Sequence, residues 1–262
     1  MNKTARDFAG ALRAWPIWWR LGIRDVRAGF RRSTLGAGWI FVNFAVTILA
    51  VGIVYGALLG QRAQDFLPFL AAGLLVWTYL TSSIAEGSNA FVASEGYIKQ
   101  IGISPFIYVF RFFVSISFKM FITLLAFVLV ALVIGVEFHV GVIWVLPGLV
   151  LLCATSFLLI TIFAHLNARF RDAGHLASLA LQILFFVTPV IWPPELLRGR
   201  SLGLIVDLNP AYHLLEIVRQ PLLHSHAASL INYQAVGLLL VGLTFIAWLL
   251  TWRLHRRLAY LL

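Results

Sequence analysis

Six stretches of this chain, 17 to 29 residues long, contain only two charged side chains between them. They cover residues 35–59, 66–85, 106–134, 142–165, 176–192 and 234–252, and both charges, Arg111 and Lys119, lie in the third. A helix needs about 20 apolar residues to cross a hydrocarbon core of about 30 Å. Within that core every backbone N–H and C=O has to be satisfied by the protein. A closed barrel also meets this demand, but its strands alternate apolar and polar residues, and runs such as 121–135 and 236–250 do not alternate. The expectation is an all-α polytopic membrane protein with six transmembrane helices. Composition removes the soluble alternative, since 61% of residues are hydrophobic and 11% charged, against about a quarter charged in soluble domains. The fifth stretch is the shortest and ends among Pro189, Pro193 and Pro194.

The bases are unevenly placed. There are 20 Lys and Arg against 10 Asp and Glu. With six spans, fourteen of the bases fall on the side shared by the two termini, eight of them in the first 32 residues. Arg62, Arg198, Arg200 and Arg219 fall on the other side. Bases mark the cytoplasmic side, where they meet anionic lipid headgroups, so both termini are expected in the cytoplasm. Because the bases collect at the ends of apolar runs, they point to membrane lipids and not to nucleic acid. The first 30 residues carry an Arg every few positions and no apolar core, so targeting is expected to come from the first span and not from a signal peptide. The single cysteine, Cys153, lies in an apolar run and excludes a disulfide scaffold.

This reading divides the chain into a cytoplasmic N-terminal arm (1–34), a membrane domain (35–253) and a short cytoplasmic tail (254–262). Within the arm, Phe8, Leu12, Trp15, Trp19, Ile23, Val26 and Phe30 recur every three or four residues, which is one helical face. Arg13, Arg20, Arg24, Arg27 and Arg31 form a second stripe beside it. Such a helix lies in the membrane interface or packs on a partner, and Pro16 is placed to start or kink it. Residues 92–104 mix Glu95, Tyr97, Ile98, Lys99 and Ile101 in a segment too short to span, which suits either a solvated loop or a docking surface. Residues 188–233 form the one long stretch on the far side. The prolines at the end of the fifth span predict re-entrant half-helices there, with a plain loop as the alternative.

Several chemistries find no residues. No Gly-Lys dipeptide occurs, so the chain has no P-loop of its own for ATP. The seven histidines are scattered, with neither H-E-x-x-H nor a cysteine pair, and no metal or cofactor is expected on this chain. Gly87-Ser88-Asn89 is not a nucleophile elbow. Ionisable groups inside a span are functional candidates by default. Lys119 is the clearest of these, either as a structural contact or as a substrate contact. Arg111 can snorkel toward the interface, and Glu86 reads as a solvated helix end. Arg24, Arg27, Arg31 and Arg32 sit just before the first span, and guanidinium forks bind phosphate bidentately. The positive-inside rule alone would also place bases here.

The run Arg24-Asp25-Val26-Arg27, Phe30-Arg31 and Ser33-Thr34-Leu35-Gly36-Ala37-Gly38-Trp39 resembles the approach to the first span in ABC-2-type permeases, the membrane subunits of polysaccharide exporters for O-antigen, capsule and teichoic acid. Relatives carry a second Arg where this chain has Gly29, and a proline where it has Asn43-Phe44. Arg169-Phe170-Arg171-Asp172, Thr188-Pro189-Val190-Ile191-Trp192 and Leu208-Asn209-Pro210 with Arg219 resemble further family elements in the same order, over about residues 15–255.

The resemblance implies a bacterial inner-membrane homodimer bound to two copies of a separate ABC ATPase that carries the ATP and Mg. It also implies export of a lipid-linked polysaccharide, with O-antigen on a polyprenyl pyrophosphate expected first. Capsule, teichoic acid or drug export and a polyprenyl-phosphate enzyme are the alternatives. Under this reading Arg24, Arg27, Arg31 and Arg32 engage the headgroup, and Trp77, Tyr79, Lys119 and Trp192 line the glycan path. The coupling helix is then Glu95, Tyr97, Ile98, Lys99 and Ile101, and the periplasmic gate is Pro189, Pro193, Asn209, Pro210 and Arg219.

Overall fold

The computed structural model describes residues 3–100, 103–137, 139–199 and 202–262. All regular structure among them is helical. The arm forms α1 (Lys3–Arg13) and α2 (Trp15–Gly29), followed by α3 (Gly38–Leu58) and α4 (Ala63–Ala85). Two 3-10 turns, Gly87–Asn89 and Val92–Ser94, lead into α5 (Glu95–Gln100). Next come α6 (Phe106–Ile134), α7 (Val145–Arg169) and α8 (Ala173–Val187). The short α9 (Glu195–Arg198) and α10 (Gly203–Asp207) precede α11 (Pro210–His224), α12 (Leu230–Leu254) and α13 (Leu258–Leu261).

Among the described residues, five helical segments are long and apolar enough to cross a membrane: Gly38–Leu58, Ala63–Asn89, Phe106–Ile134, Val140–Arg169 and Leu230–Leu254. The expected fifth span differs. Its helix α8 has 15 residues, about 22 Å at 1.5 Å per residue, and it stops at Val187 where the sequence pattern suggested Trp192. Thr188 precedes Pro189 and takes extended backbone angles (φ −89°, ψ 135°). A residue before proline is pushed out of the α region in this way.

Helix α4 is the hub. It touches α3, α6, α7, α8 and α11, and most of its side chains are buried, including Leu70, Ala71, Ala72, Leu75 and Val76. Small residues let neighbours approach closely, as membrane helices require. A Cβ on Gly73 would fall 2.3 Å from the Arg219 guanidinium. By contrast α3 and α12 bury few residues and turn Leu49, Ile53, Leu238 and Val241 outward. On α8, Leu176, Leu179, Ile183 and Phe186 are exposed along one stripe, and no residue of that helix is buried.

The arm's apolar face is split between two surroundings. Phe8 packs on Phe106, Phe110 and Phe157, Trp18 stacks on Phe110, and Ala11 and Val26 are buried. Leu12, Trp15 and Trp19 point away from the bundle. The break at Ala14, two residues before Pro16, is bridged by the Trp18 Nε1–H, which donates to the Ala11 carbonyl at 2.9 Å. Helix α2 lies along α6 so closely that a Cβ on Gly22 would stand 2.8 Å from the Arg111 carbonyl and the Val114 side chain. Gly22→Val is therefore expected to lift α2 off α6 at a cost of about 1–3 kcal/mol. Faster tryptic cleavage at Arg13 and Arg20 in detergent would report it, with Gly10→Ala, which meets only open space, as the unchanged control.

Candidate substrate site

Where the arm meets α3, a cavity of about 400 Å³ opens between α3, α4 and α6. Phe30 and Trp39 stand at its arm end, and Asn43, Thr47, Thr78, Ser82, Lys119 and Thr123 supply polar groups within it. The threonine hydroxyls donate to carbonyls of their own helices: Thr47 to Asn43, Thr78 to Leu74 and Thr123 to Lys119. Their lone pairs remain to accept from a ligand. Arg31 and Arg32 follow Phe30, and Arg27 and Arg24 lie about one and two turns back on α2; all four are exposed. Arg32 takes a left-handed backbone (φ 71°), which reverses the chain at the mouth.

Lys119 is the single charged side chain lining this cavity among the described residues. Its ammonium donates to Glu86 Oε2 at 2.6 Å, so Glu86, a partly exposed helix end, is also the partner of this cation. Arg111 does not snorkel free either; it grips Asp25 of the arm with two hydrogen bonds, Nε to Oδ2 at 2.5 Å and Nη2 to Oδ1 at 2.8 Å. Neither pairing follows from the spacing of these residues in the sequence. One signal was present: a charge inside a span needs a counter-charge, and the chain has only 10 acids to supply it.

The proposed path residues do not share one space. Tyr79 and Lys119 line the cavity, although the Tyr79 hydroxyl is hydrogen-bonded to Ser117 Oγ at 2.9 Å. Trp77 faces a separate groove toward α8 and packs on Phe185. Trp192 donates from Nε1 to the Phe186 carbonyl at 3.2 Å.

At the opposite end, the residues singled out around the break after α8 do come together. Thr188, Val190 and Ile191 are buried, and the broken helix leaves carbonyls without intrahelical partners. Arg219 answers them: Nη1 donates to the Pro189 carbonyl at 2.9 Å, and Nη2 to the Val190 carbonyl at 3.3 Å. The guanidinium is 2% exposed, lies 4.0 Å from the Phe69 ring centroid and pairs with buried Glu216 at 3.2 Å. Asn209 caps α11 by accepting from the Ala211 N–H, places Pro210 at the first turn and donates to Thr188 Oγ1 at 2.9 Å. Pro193, Glu195, Arg198 and Arg219 line a second cavity of about 560 Å³.

On the arm side, the turn Gly87–Asn89 is buried against α7, and Asn167 Nδ2 donates to the Ser88 carbonyl at 3.1 Å. Helix α5 follows, shorter than the 92–104 segment read from sequence. Lys99 pairs with Glu95 at 2.7 Å, and Arg171 approaches the same carboxylate at 3.6 Å. The Lys99 hydrogen bond, with the Lys99 and Arg171 charges, holds Glu95 below the usual carboxylate range. Tyr97 is exposed and Ile98 packs inward; Ile101 lies outside the described residues.

The ABC-2 type transporter model matches residues 17–223. The chain belongs to this family. The O-antigen export system permease protein RfbA of Myxococcus xanthus is 28% identical over 200 residues, covering 73% of this chain and 74% of that protein. A Klebsiella pneumoniae protein of the same name is 20% identical over 226 residues, covering 84% and 87%. This ABC-2 chain is thus the membrane component of a transporter and a multi-pass membrane protein. Among its described residues no three His, Cys, Asp or Glu gather as a metal site.

The buried Arg219 provides a direct test of the packing at the α8 break. Arg219→Met leaves the buried Glu216 without its counter-charge, held by Gln220 alone, and two carbonyls unpaired in the interior, and is expected to cost about 3–5 kcal/mol. A lowered melting midpoint of the detergent-solubilised protein would show it, whereas Arg62→Met, which removes an exposed pair, is expected to cost at most about 1 kcal/mol.

Proposed function

We propose that this chain is the permease subunit of an ATP-driven exporter that moves O-antigen, carried on a polyprenyl pyrophosphate, outward across a bacterial inner membrane. The observation that carries the reading is the match of most of the chain to O-antigen export permeases within the ABC-2 family. The chain has no P-loop, so ATP and Mg belong to a separate ABC ATPase, two copies of which serve a permease homodimer. The outward stripe on α8 suits contact with a second copy, and pairing there would compensate for the shortness of that helix. Helix α5 with exposed Tyr97 is the ATPase docking element.

Both termini are cytoplasmic in this reading, which puts the arm cavity at the level of the inner leaflet and the Arg219 cluster at the periplasmic exit. Leu12, Trp15 and Trp19 then face lipid. Arg24, Arg27, Arg31 and Arg32 meet the pyrophosphate at the cavity mouth, where several forks suit a multiply charged anion. The glycan passes outward along the α4 side and leaves through the region held by Pro189, Pro193, Asn209, Pro210 and Arg219.

A deletion strain tests the reading. Loss of surface O-antigen with accumulation of polyprenyl-linked glycan inside the cell is expected; an unchanged surface would leave drug export as the better reading, and loss from both pools would indicate an enzyme. Complementation with Arg27→Ala/Arg31→Ala is expected to lower export at least roughly tenfold, since each lost charge-assisted contact is a sizeable fraction of headgroup affinity. Undiminished export would remove the headgroup role.

A further inference from the structure

Among the described residues, three cations lie within the helical bundle, and they differ in how fully the protein uses them. Arg219 is buried and has three hydrogen-bond partners. Arg111 is bound to Asp25 through two parallel bonds. Lys119 makes one hydrogen bond, to Glu86, and an ammonium has three donors. The Lys119 and Glu86 side chains are 32% and 40% exposed, and Lys119 lines the cavity wall. An exposed pair joined at one point is weak compared with a bidentate or desolvated one. The cavity thus holds a cation that a stronger anion can take from its carboxylate.

The position of Glu86 gives that exchange a consequence. It caps α4 at the point where the helix passes into the turn Gly87–Asn89. That turn has little freedom: a Cβ on Gly87 would stand 2.7 Å from Ile160, and Ser88 is held by Asn167. The next elements are Val92–Ser94 and α5. Eight residues, 87–94, therefore separate the carboxylate that holds Lys119 from Glu95, the first residue of the docking helix.

We infer that Lys119 is an anion subsite for the lipid-linked pyrophosphate, and that the incoming anion displaces Glu86, so that occupation of the cavity is passed through the Gly87–Asn89 turn to α5 and the ATPase. This rests on the exporter reading above and adds to it the means by which substrate would stimulate ATP hydrolysis. Arg31 and Arg32 receive the anion at the mouth; Lys119, deeper in the cavity, registers its arrival.

The test is the ATPase rate of the permease–ATPase complex in phosphatidylcholine nanodiscs, titrated with polyprenyl pyrophosphate. The wild-type rate is expected to rise with the lipid. Lys119→Gln is expected to raise the half-maximal concentration roughly tenfold, the loss of one charge-assisted contact. Glu86→Gln removes the competing charge and is expected to lower that concentration and raise the basal rate. These opposite directions are the signature, because a merely structural pair would respond the same way to either substitution. If both variants respond at the wild-type concentration, or shift in the same direction, the exchange is overturned and the exporter reading stands. If the wild-type complex ignores the lipid altogether, the exporter reading falls with it. Inorganic pyrophosphate alone is expected to leave the rate unchanged; stimulation equal to that of the lipid would overturn a lipid-borne ligand in favour of a soluble anion.

Discussion

A charge or an unpaired carbonyl inside an apolar bundle has no water to turn to, and the structure is arranged around that shortage. Arg219 is the fullest case. The chain breaks helix α8 before Pro189, which frees carbonyls in a buried place, and a guanidinium from α11 fills the gap. Glu216 then balances its charge, and Gly73 keeps α4 small where the guanidinium lies. Helix α11, the break and the hub helix α4 are joined at this one side chain. Loss of a partner in such a cluster is costly because the remaining groups stay buried.

The same rule, applied less completely, shapes the other end. Asp25 and Arg111 bind the arm to α6, and Gly22 allows the two helices to lie together. The arm is thus an integral wall of the bundle along one face, with Leu12, Trp15 and Trp19 left for another environment. Its end defines the mouth of the cavity beside α3, with exposed arginines outside and a lysine within. Lys119 and Glu86 are the least committed of the interior pairs, and they connect that cavity to the turn that leads to α5.

Much of the architecture was legible in the linear pattern. The third span was read over 106–134, and α6 covers Phe106–Ile134; the first, second, fourth and sixth helices agree within a few residues at most ends. Long uncharged runs are a strong signal because the hydrocarbon thickness imposes their length. Pro189, Pro193, Pro194 and Arg219 also stand out in the linear pattern, since proline restrains its neighbours whatever surrounds it. The arm was read as one apolar face. That face divides because periodicity reports which residues avoid water, and both lipid and a protein neighbour satisfy that condition.

Side-chain partnerships were not legible. Asp25 and Glu86 look like ordinary polar residues in sequence, and their separations of 86 and 33 residues from the cations they meet follow no local rule; Glu216, three residues before Arg219 on one helix, is the local exception. Trp77, Tyr79 and Trp192 look equivalent as aromatic residues, yet they face three different surroundings. The linear order of residues decided helix, membrane and break points, because these depend on local hydropathy and backbone geometry. Which charge is neutralised, and where a cavity remains, was decided only when helices far apart in the chain packed side by side, because Coulomb and hydrogen-bond partners are chosen by distance in space.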